Sequence, residues 1–189
     1  MKELIRKRIE ESVDVKKELC RGGLEDIEKA AKTIIASLKS GGKLLVFGNG
    51  GSAADSQHIA AELVGRFKKE RKALAAVALT TNTSILTAIA NDYGYDVIFS
   101  RQIEALAKKG DVALGISTSG NSKNVVEALK KAKSIGLTTI GMTSAGGGAI
   151  KTVSDVTIAV PSKDTPRIQE AHGVIGHILC ELIESELFK

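Results

Sequence analysis

The stretch Lys43–Val64, KLLVFGNGGSAADSQHIAAELV, decides the fold. It opens with a short apolar run, Lys43–Phe47, too brief for a core helix. It then crosses a glycine-rich turn, Gly48-Asn49-Gly50-Gly51-Ser52-Ala53, and continues as a helical stretch over Ala53–Val64. Near-continuous apolarity, without period-two alternation, reads as a strand covered on both faces, which is the mark of a parallel sheet. A strand feeding a helix through such a turn is half of a βαβ unit.

Working outward, the same alternation recurs. Apolar runs lie at Ala75–Leu79, Asp111–Ile116, Thr138–Met142 and Val156–Val160. Between them the spacing predicts helices over Ser84–Ala90, Val97–Ala107 and Asn124–Ala132, and a short piece around Ala149. A long last helix is expected from about Pro166 to Leu187, with Thr165 placed to cap it and Pro166 at its first position. Ahead of the first strand, Leu4, Ile5, Ile9 and Val13 recur at helical steps, as do Leu24, Ile27, Ala31, Ile34, Ile35 and Leu38. Gly22-Gly23 separates these two amphipathic helices, and Gly41-Gly42 ends the second. The expectation is an α/β fold, a doubly wound parallel five-stranded sheet flanked by helices, with an N-terminal helical extension. Residues 1–40 would serve oligomerisation and 41–189 would form the sheet domain.

Composition narrows the function. Aromatic residues make up 3% of the 189 residues and tryptophan is absent, which argues against a base-stacking surface. The net charge of +5 suits anionic ligands, but Lys and Arg are interspersed with Asp and Glu, so no nucleic-acid partner is expected. Cys20 and Cys180 alone make neither a disulfide scaffold nor a cysteine metal site. The opening MKELIRKRIEES lacks the apolar core of a signal peptide, and no window approaches the roughly 18 apolar residues of a membrane span. A soluble, cytoplasmic protein with no membrane partner is expected.

In an open parallel sheet, ligands sit at the carboxyl ends of the strands, on loops leading into helix N-termini. The first such loop matches G-x-G-x-x-A, but the second strand ends Leu79-Thr80-Thr81-Asn82, without the acidic residue that holds a ribose hydroxyl. No Gly-Lys-Ser/Thr follows either, so no nucleotide cofactor is expected. The second loop, Ser117-Thr118-Ser119-Gly120-Asn121-Ser122, carries four hydroxyls within six residues at a strand's carboxyl end. Together with free N–H groups they would make a neutral phosphate cradle.

Acid–base candidates are few, because the only histidines are His58, His172 and His177. His58 and Glu62 are four apart and share a helix face. His177 has Val174, Ile175, Ile178 and Leu179 around it, so its part of the last helix is expected to be largely buried. Gln169 lies eight residues before it, about 80° away around the helix, so the two could converge on one ligand without having to.

Taken together, the segments GNGGSAADSQHIAAELVGR (48–66), AIANDYGYDVIFSRQ (88–102), GDVALGISTSGNSKNV (110–125) and TPRIQEAHGVIGHIL (165–179) resemble the sugar isomerase (SIS) domain family. Within it, they are similar to the branch acting on heptose phosphates. The resemblance covers essentially the whole chain and implies a flavodoxin-like three-layer sandwich. It implies Asn49, Gly50 and Gly51 as a substrate loop, Asn91 and Asp92 as a further substrate contact, and Ser117, Thr118, Ser119 and Ser122 as the phosphate site. It implies His58, Glu62, Gln169 and His177 as ligands of one Zn²⁺ per subunit, with Glu62 and His177 the catalytic acid–base pair and Glu62 and Gln169 also touching substrate. The expected reaction interconverts D-sedoheptulose 7-phosphate and D-glycero-D-manno-heptose 7-phosphate in a homotetramer with sites between subunits. Two alternatives stand beside it. One is a non-catalytic SIS protein that binds a replication initiator, which would not need Glu62 together with His177. The other is an isomerase of a different phosphosugar.

Overall fold

A computed structural model describes residues 1–189. The chain begins with α1 (Lys2–Gly22) and α2 (Leu24–Lys39), then runs β1 (Leu44–Gly48), α3 (Gly51–Val64), β2 (Ala76–Ala78), α4 (Thr83–Tyr93), a 3₁₀ turn (Tyr95–Val97) and α5 (Ile98–Leu106). It continues through β3 (Val112–Ile116), α6 (Lys123–Ile135), β4 (Thr138–Ser144), α7 (Ile150–Val153) and β5 (Val156–Val160) to α8 (Thr165–Leu187). All five strands are parallel, in the order β2-β1-β3-β4-β5. Leu44 sits opposite Ala76 on one side and Val112 on the other, so the chain reverses its direction of winding between β1 and β3. That switch point opens a crevice at the carboxyl ends of these two strands.

Strand side chains alternate between two apolar layers. Leu44, Val46, Val112, Leu114, Ile140 and Ile158 pack against α2, α3 and α8 through Ile34, Ile59, Leu63, Ile175 and Leu179. On the other face, Leu45, Phe47 and Ala113 pack against α5 and α6 through Phe99, Ile103, Val125 and Leu129. The expected three-layer sandwich is present. At the amino end of the sheet, polar groups are closed within the chain. Asp111 accepts from the backbone N–H of Lys43 (2.9 Å) and Lys108 (2.8 Å) and from Lys43 Nζ (2.5 Å).

Several local expectations change. Gly22 is the last residue of α1 rather than part of a two-residue break, and Gly23 makes the turn. Thr165 is the first residue of α8 and not its cap. Asp164 holds the cap position without a side-chain bond, while Pro166, having no N–H to leave unpaired, fits the first turn. Strand ends move by one or two residues, β4 extending to Ser144. Helix α4 buries none of its side chains, although its sequence, TSILTAIANDY, is largely apolar. On α1 only Leu19 is buried, and Leu4, Ile5, Ile9 and Val13 face outward. Helix α2, by contrast, shares the sheet's core through Ile27, Ala30, Ala31 and Ile34. Cys20 is exposed and Cys180 is buried in α8. No helix is long and apolar enough to cross a membrane.

Candidate active site

The two loops singled out in the sequence meet at the switch point. A Cβ on Gly48 would lie 2.7 Å from the Ile116 carbonyl and 2.8 Å from Ser52 Cβ, so glycine lets the ends of β1 and β3 approach. Neither α3 nor α6 is capped by a side chain; Ser52, Ala53 and Val125 donate to loop carbonyls, which leaves the N–H groups of Gly51, Lys123 and Asn124 to a ligand. Ser122 stands at the cap position of α6, yet its hydroxyl pairs with Ser117 Oγ at 2.9 Å instead of capping. Ser119 Oγ lies 3.3 Å from Ser117 Oγ, and Thr118 is half-buried beside them. The hydroxyls of Ser117, Ser119 and Ser122 therefore pair with one another at the carboxyl end of β3. Gly120, at φ +69°, is pressed against the Gly147 carbonyl and lies where a Cβ would come within 2.7 Å of Thr143 Oγ1. Asn49 exchanges two 2.9 Å bonds with the buried Asn124 and accepts from the Tyr95 hydroxyl at 3.1 Å. Asn124 and Tyr95 escape the sequence reading, yet Asn124 ties the first loop to the first turn of α6, just after the second loop, and Tyr95 ties it to the 3₁₀ turn.

A second group of residues lies on the flank where α3 and α8 run side by side. Gly51 faces Gln169 at one end, and His58 faces His177 two turns further on. His58 Nε2 is 3.0 Å from Glu62 Oε1 and 3.4 Å from His177 Nε2, and the two rings meet edge to face. One donor atom from each of the three residues lies within 4.8 Å of the others. Two ring nitrogens turned toward each other, with a carboxylate beside them, leave a place that a cation could fill. Tetrahedral zinc with Zn–N bonds of ~2.0–2.1 Å would hold its ligand nitrogens ~3.4 Å apart, which matches the observed 3.4 Å. The donor set fits such an ion.

The expected burial of His177 is corrected: it is exposed, and the buried histidine is His172. The inward stripe of α8 runs through Ile168, Ala171, His172, Ile175, Leu179 and Ile183, whereas Val174 and Ile178, the apolar neighbours of His177, face outward. Burial pushes the His172 pKa down to about 4, and the hydrogen bond to the Thr143 carbonyl only partly opposes it. Asp55, one turn before His58, is held above the usual carboxylate range by burial, which the nearby His58 partly offsets. Burial raises the Cys180 thiol to about 12, reinforced by the charge of Glu62.

Within one chain the two groups do not meet. His58 and Glu62 stand ~10 Å and ~16 Å along α3 from Gly51, at 1.5 Å per residue. The Gln169 amide rests on Gly51, about 12 Å of helix before His177. Asn91 and Asp92 sit exposed at the end of α4, bonded to each other at 2.8 Å. Three more residues absent from the sequence reading, Phe67, Arg71 and Glu184, frame the histidine cluster. The Phe67 ring lies 5.6 Å from the His177 ring, centre to centre. Arg71 and Glu184 form an ion pair that is almost wholly buried. Burial would raise the Glu184 carboxyl, but the N–H groups of Lys69, Lys68 and Phe67, with Arg71, outweigh it and hold the pKa at about 2.

Residues 9–144 match the SIS domain family. The phosphoheptose isomerase of Clostridium acetobutylicum is 54% identical over 190 residues, spanning 100% of this chain and 97% of its own. Among solved structures, a phosphoheptose isomerase from Neisseria gonorrhoeae superposes with a TM-score of 0.93 at 46% identity, covering 97% of this chain and 98% of the other. One from Francisella tularensis gives 0.94 at 36% identity, with 97% of both chains covered.

Proposed function

The chain belongs to the SIS domain family, among its phosphoheptose isomerases, and from that premise we propose that it converts D-sedoheptulose 7-phosphate to D-glycero-D-manno-heptose 7-phosphate, the first step toward activated heptoses. The observation that carries the reading is the convergence of Glu62 and His177 around His58, from stretches more than a hundred residues apart. Neither a phosphate-binding module nor a scaffold that docks a replication initiator requires that convergence.

The reaction moves a proton between adjacent carbons with no net oxidation. A base takes a proton from C1 of the ketose, the electrons form the C1–C2 double bond of an enediol, and a proton returns to C2. Meanwhile the C1 hydroxyl loses its proton and the C2 oxygen gains one. Glu62 and His177 supply the carbon base and the oxygen proton shuttle between them. Ser117, Thr118, Ser119 and Ser122 hold the phosphate with neutral donors and the first N–H groups of α6. Asn49, Gly50 and Gly51, with Asn91 and Asp92, orient the sugar. His58, Glu62 and His177 would hold a Zn²⁺; because Gln169 of the same chain rests on Gly51, away from the cluster, the fourth ligand that the resemblance implies would be Gln169 of a second subunit. Such an ion supplies Lewis acidity that stabilises the enediolate oxygen.

The distance between cradle and cluster on one chain supports a composite site, in which the loops of one subunit meet the histidine cluster of another. The outward apolar faces of α1 and α4 support the homotetramer this needs, with residues 1–40 serving assembly and 41–189 carrying the chemistry. A cytoplasmic protein fits a phosphorylated substrate. The test incubates purified, zinc-supplemented protein with sedoheptulose 7-phosphate and follows the aldose anomeric proton by NMR. Appearance of that signal supports the reading, and its absence over hours at micromolar enzyme overturns it.

A further inference from the structure

Segment 65–71 leaves α3 just past Glu62, and one buried carboxylate pins it to α8. Glu184 accepts from the backbone N–H of Phe67 (3.0 Å), Lys68 (2.8 Å) and Lys69 (2.7 Å), and from Arg71 Nε (3.0 Å). The side chains of Arg71 and Glu184 are 1% and 2% exposed. Arg71 turns its other nitrogens on the last carbonyls of α3, that of Glu62 (2.8 Å), which a helix end otherwise leaves unpaired, and that of Leu63 (2.8 Å), which also accepts from the Leu74 N–H (3.0 Å).

The position of this pair is as telling as its bonding. Glu184 comes seven residues after His177, two turns along the same side of α8. Phe67, whose N–H it holds, leans its ring on the His177 imidazole. One ion pair thus fixes the end of the helix that carries Glu62, the ring that backs His177, and the helix that carries His177. Apolar residues commonly replace a buried ion pair with no loss of stability, because desolvation offsets the attraction. What apolar packing does not reproduce is the direction of five guanidinium N–H groups and two carboxylate oxygens.

We propose that Arg71 and Glu184 form a positioning pair that sets Glu62 against His177 for proton transfer and cation binding. The inference rests on the acid–base reading of those two residues. Misplacement by about 1 Å at a reacting centre costs about 10²-fold in rate, so small adjustments of this clamp are visible in kinetics.

The test compares Arg71→Lys, which keeps the charge but loses the fork, and Phe67→Leu, which leaves the ion pair intact, with Asp111→Ala. The last breaks a buried pair at the far, amino end of the sheet. Each is assayed for kcat and KM on sedoheptulose 7-phosphate. Chelator-stripped protein is titrated with Co²⁺ and followed by its visible absorption, and Tm is recorded. Arg71→Lys is expected to lose about 10- to 100-fold in kcat at unchanged KM and to bind Co²⁺ about tenfold more weakly. Phe67→Leu should shift both in the same direction by less, and Asp111→Ala should lower Tm alone. Wild-type kcat and Co²⁺ affinity in Arg71→Lys overturns the inference, as does a loss that Asp111→Ala matches at equal Tm. Should Arg71→Lys fail to fold, Phe67→Leu decides, and wild-type behaviour there overturns the inference. Those results in an active enzyme leave the proposed activity standing, whereas an inactive wild-type protein overturns the activity first.

Discussion

The hydroxyl cradle and the histidine cluster are built in opposite ways. The cradle is made of loop backbone and small side chains at the ends of β1 and β3, and its groups bond chiefly to one another. The cluster sits on two rigid helices whose separation is set by apolar packing and by the Arg71–Glu184 pair. An anion needs many weak donors that adapt to it, which loops and helix N-termini provide. Proton transfer needs two groups fixed to a fraction of an ångström, which packed helices provide. The chain keeps these parts at least ~10 Å apart, and the composite site proposed above would bring them together by association.

The largest effect that sharpens this contrast is expected at the cluster. Glu62→Gln and His177→Gln should each lower kcat by about 10²- to 10⁴-fold with KM and Tm nearly unchanged, in steady-state assays beside thermal melts. Near-wild-type turnover in either variant removes that residue from the chemistry.

Next comes His172, which lies between the two regions, bonded to β4 on one side and buried under the cluster on the other. Its folded pKa, about 4, is below the ordinary 6.5, so the unfolded chain binds the extra proton first as pH falls. Stability is then complete above about pH 6.5 and declines toward pH 4, by about 3 kcal/mol at 1.36 kcal/mol per unit. Melts between pH 7.5 and 4 should show a flatter acid limb for His172→Gln than for wild type. Parallel limbs would exclude this histidine as the source.

The smallest effect is at the cradle. Ser119→Ala removes one of several hydroxyls, and a hydrogen bond to a charged group is worth about 1.5–3 kcal/mol. KM should rise about tenfold or somewhat more with kcat retained, and inorganic phosphate should inhibit the variant less. A fall in kcat equal to that of Glu62→Gln would erase the distinction between the two regions.

Much of this was legible in the chain. Val112–Ile116 and its fellow strands announced themselves as apolar runs, and the loops after β1 and β3 stood out through glycines and hydroxyls at strand ends. The cluster was legible only through family resemblance, because spacing places Glu62 beside His58 but says nothing of what α8 brings to them. The exposure of His177 is hidden for a related reason: helical periodicity identifies an apolar stripe, but α8 carries two, and Val174 and Ile178 belong to the outward one. The ties of Asn49 to Asn124 and of Arg71 to Glu184 cross 75 and 113 residues. Long-range polar pairs of this kind leave no local pattern to read.

The unlike settings of the two cysteines make the molecule its own integrity gauge. A sulfhydryl reagent meets Cys20 at the surface at once, while Cys180, shut inside α8 and reluctant to ionise, stays silent as long as the last helix is seated. Native chains therefore titrate as one thiol and opened chains as two, and the arrival of the second equivalent times the release of the helix that bears His177.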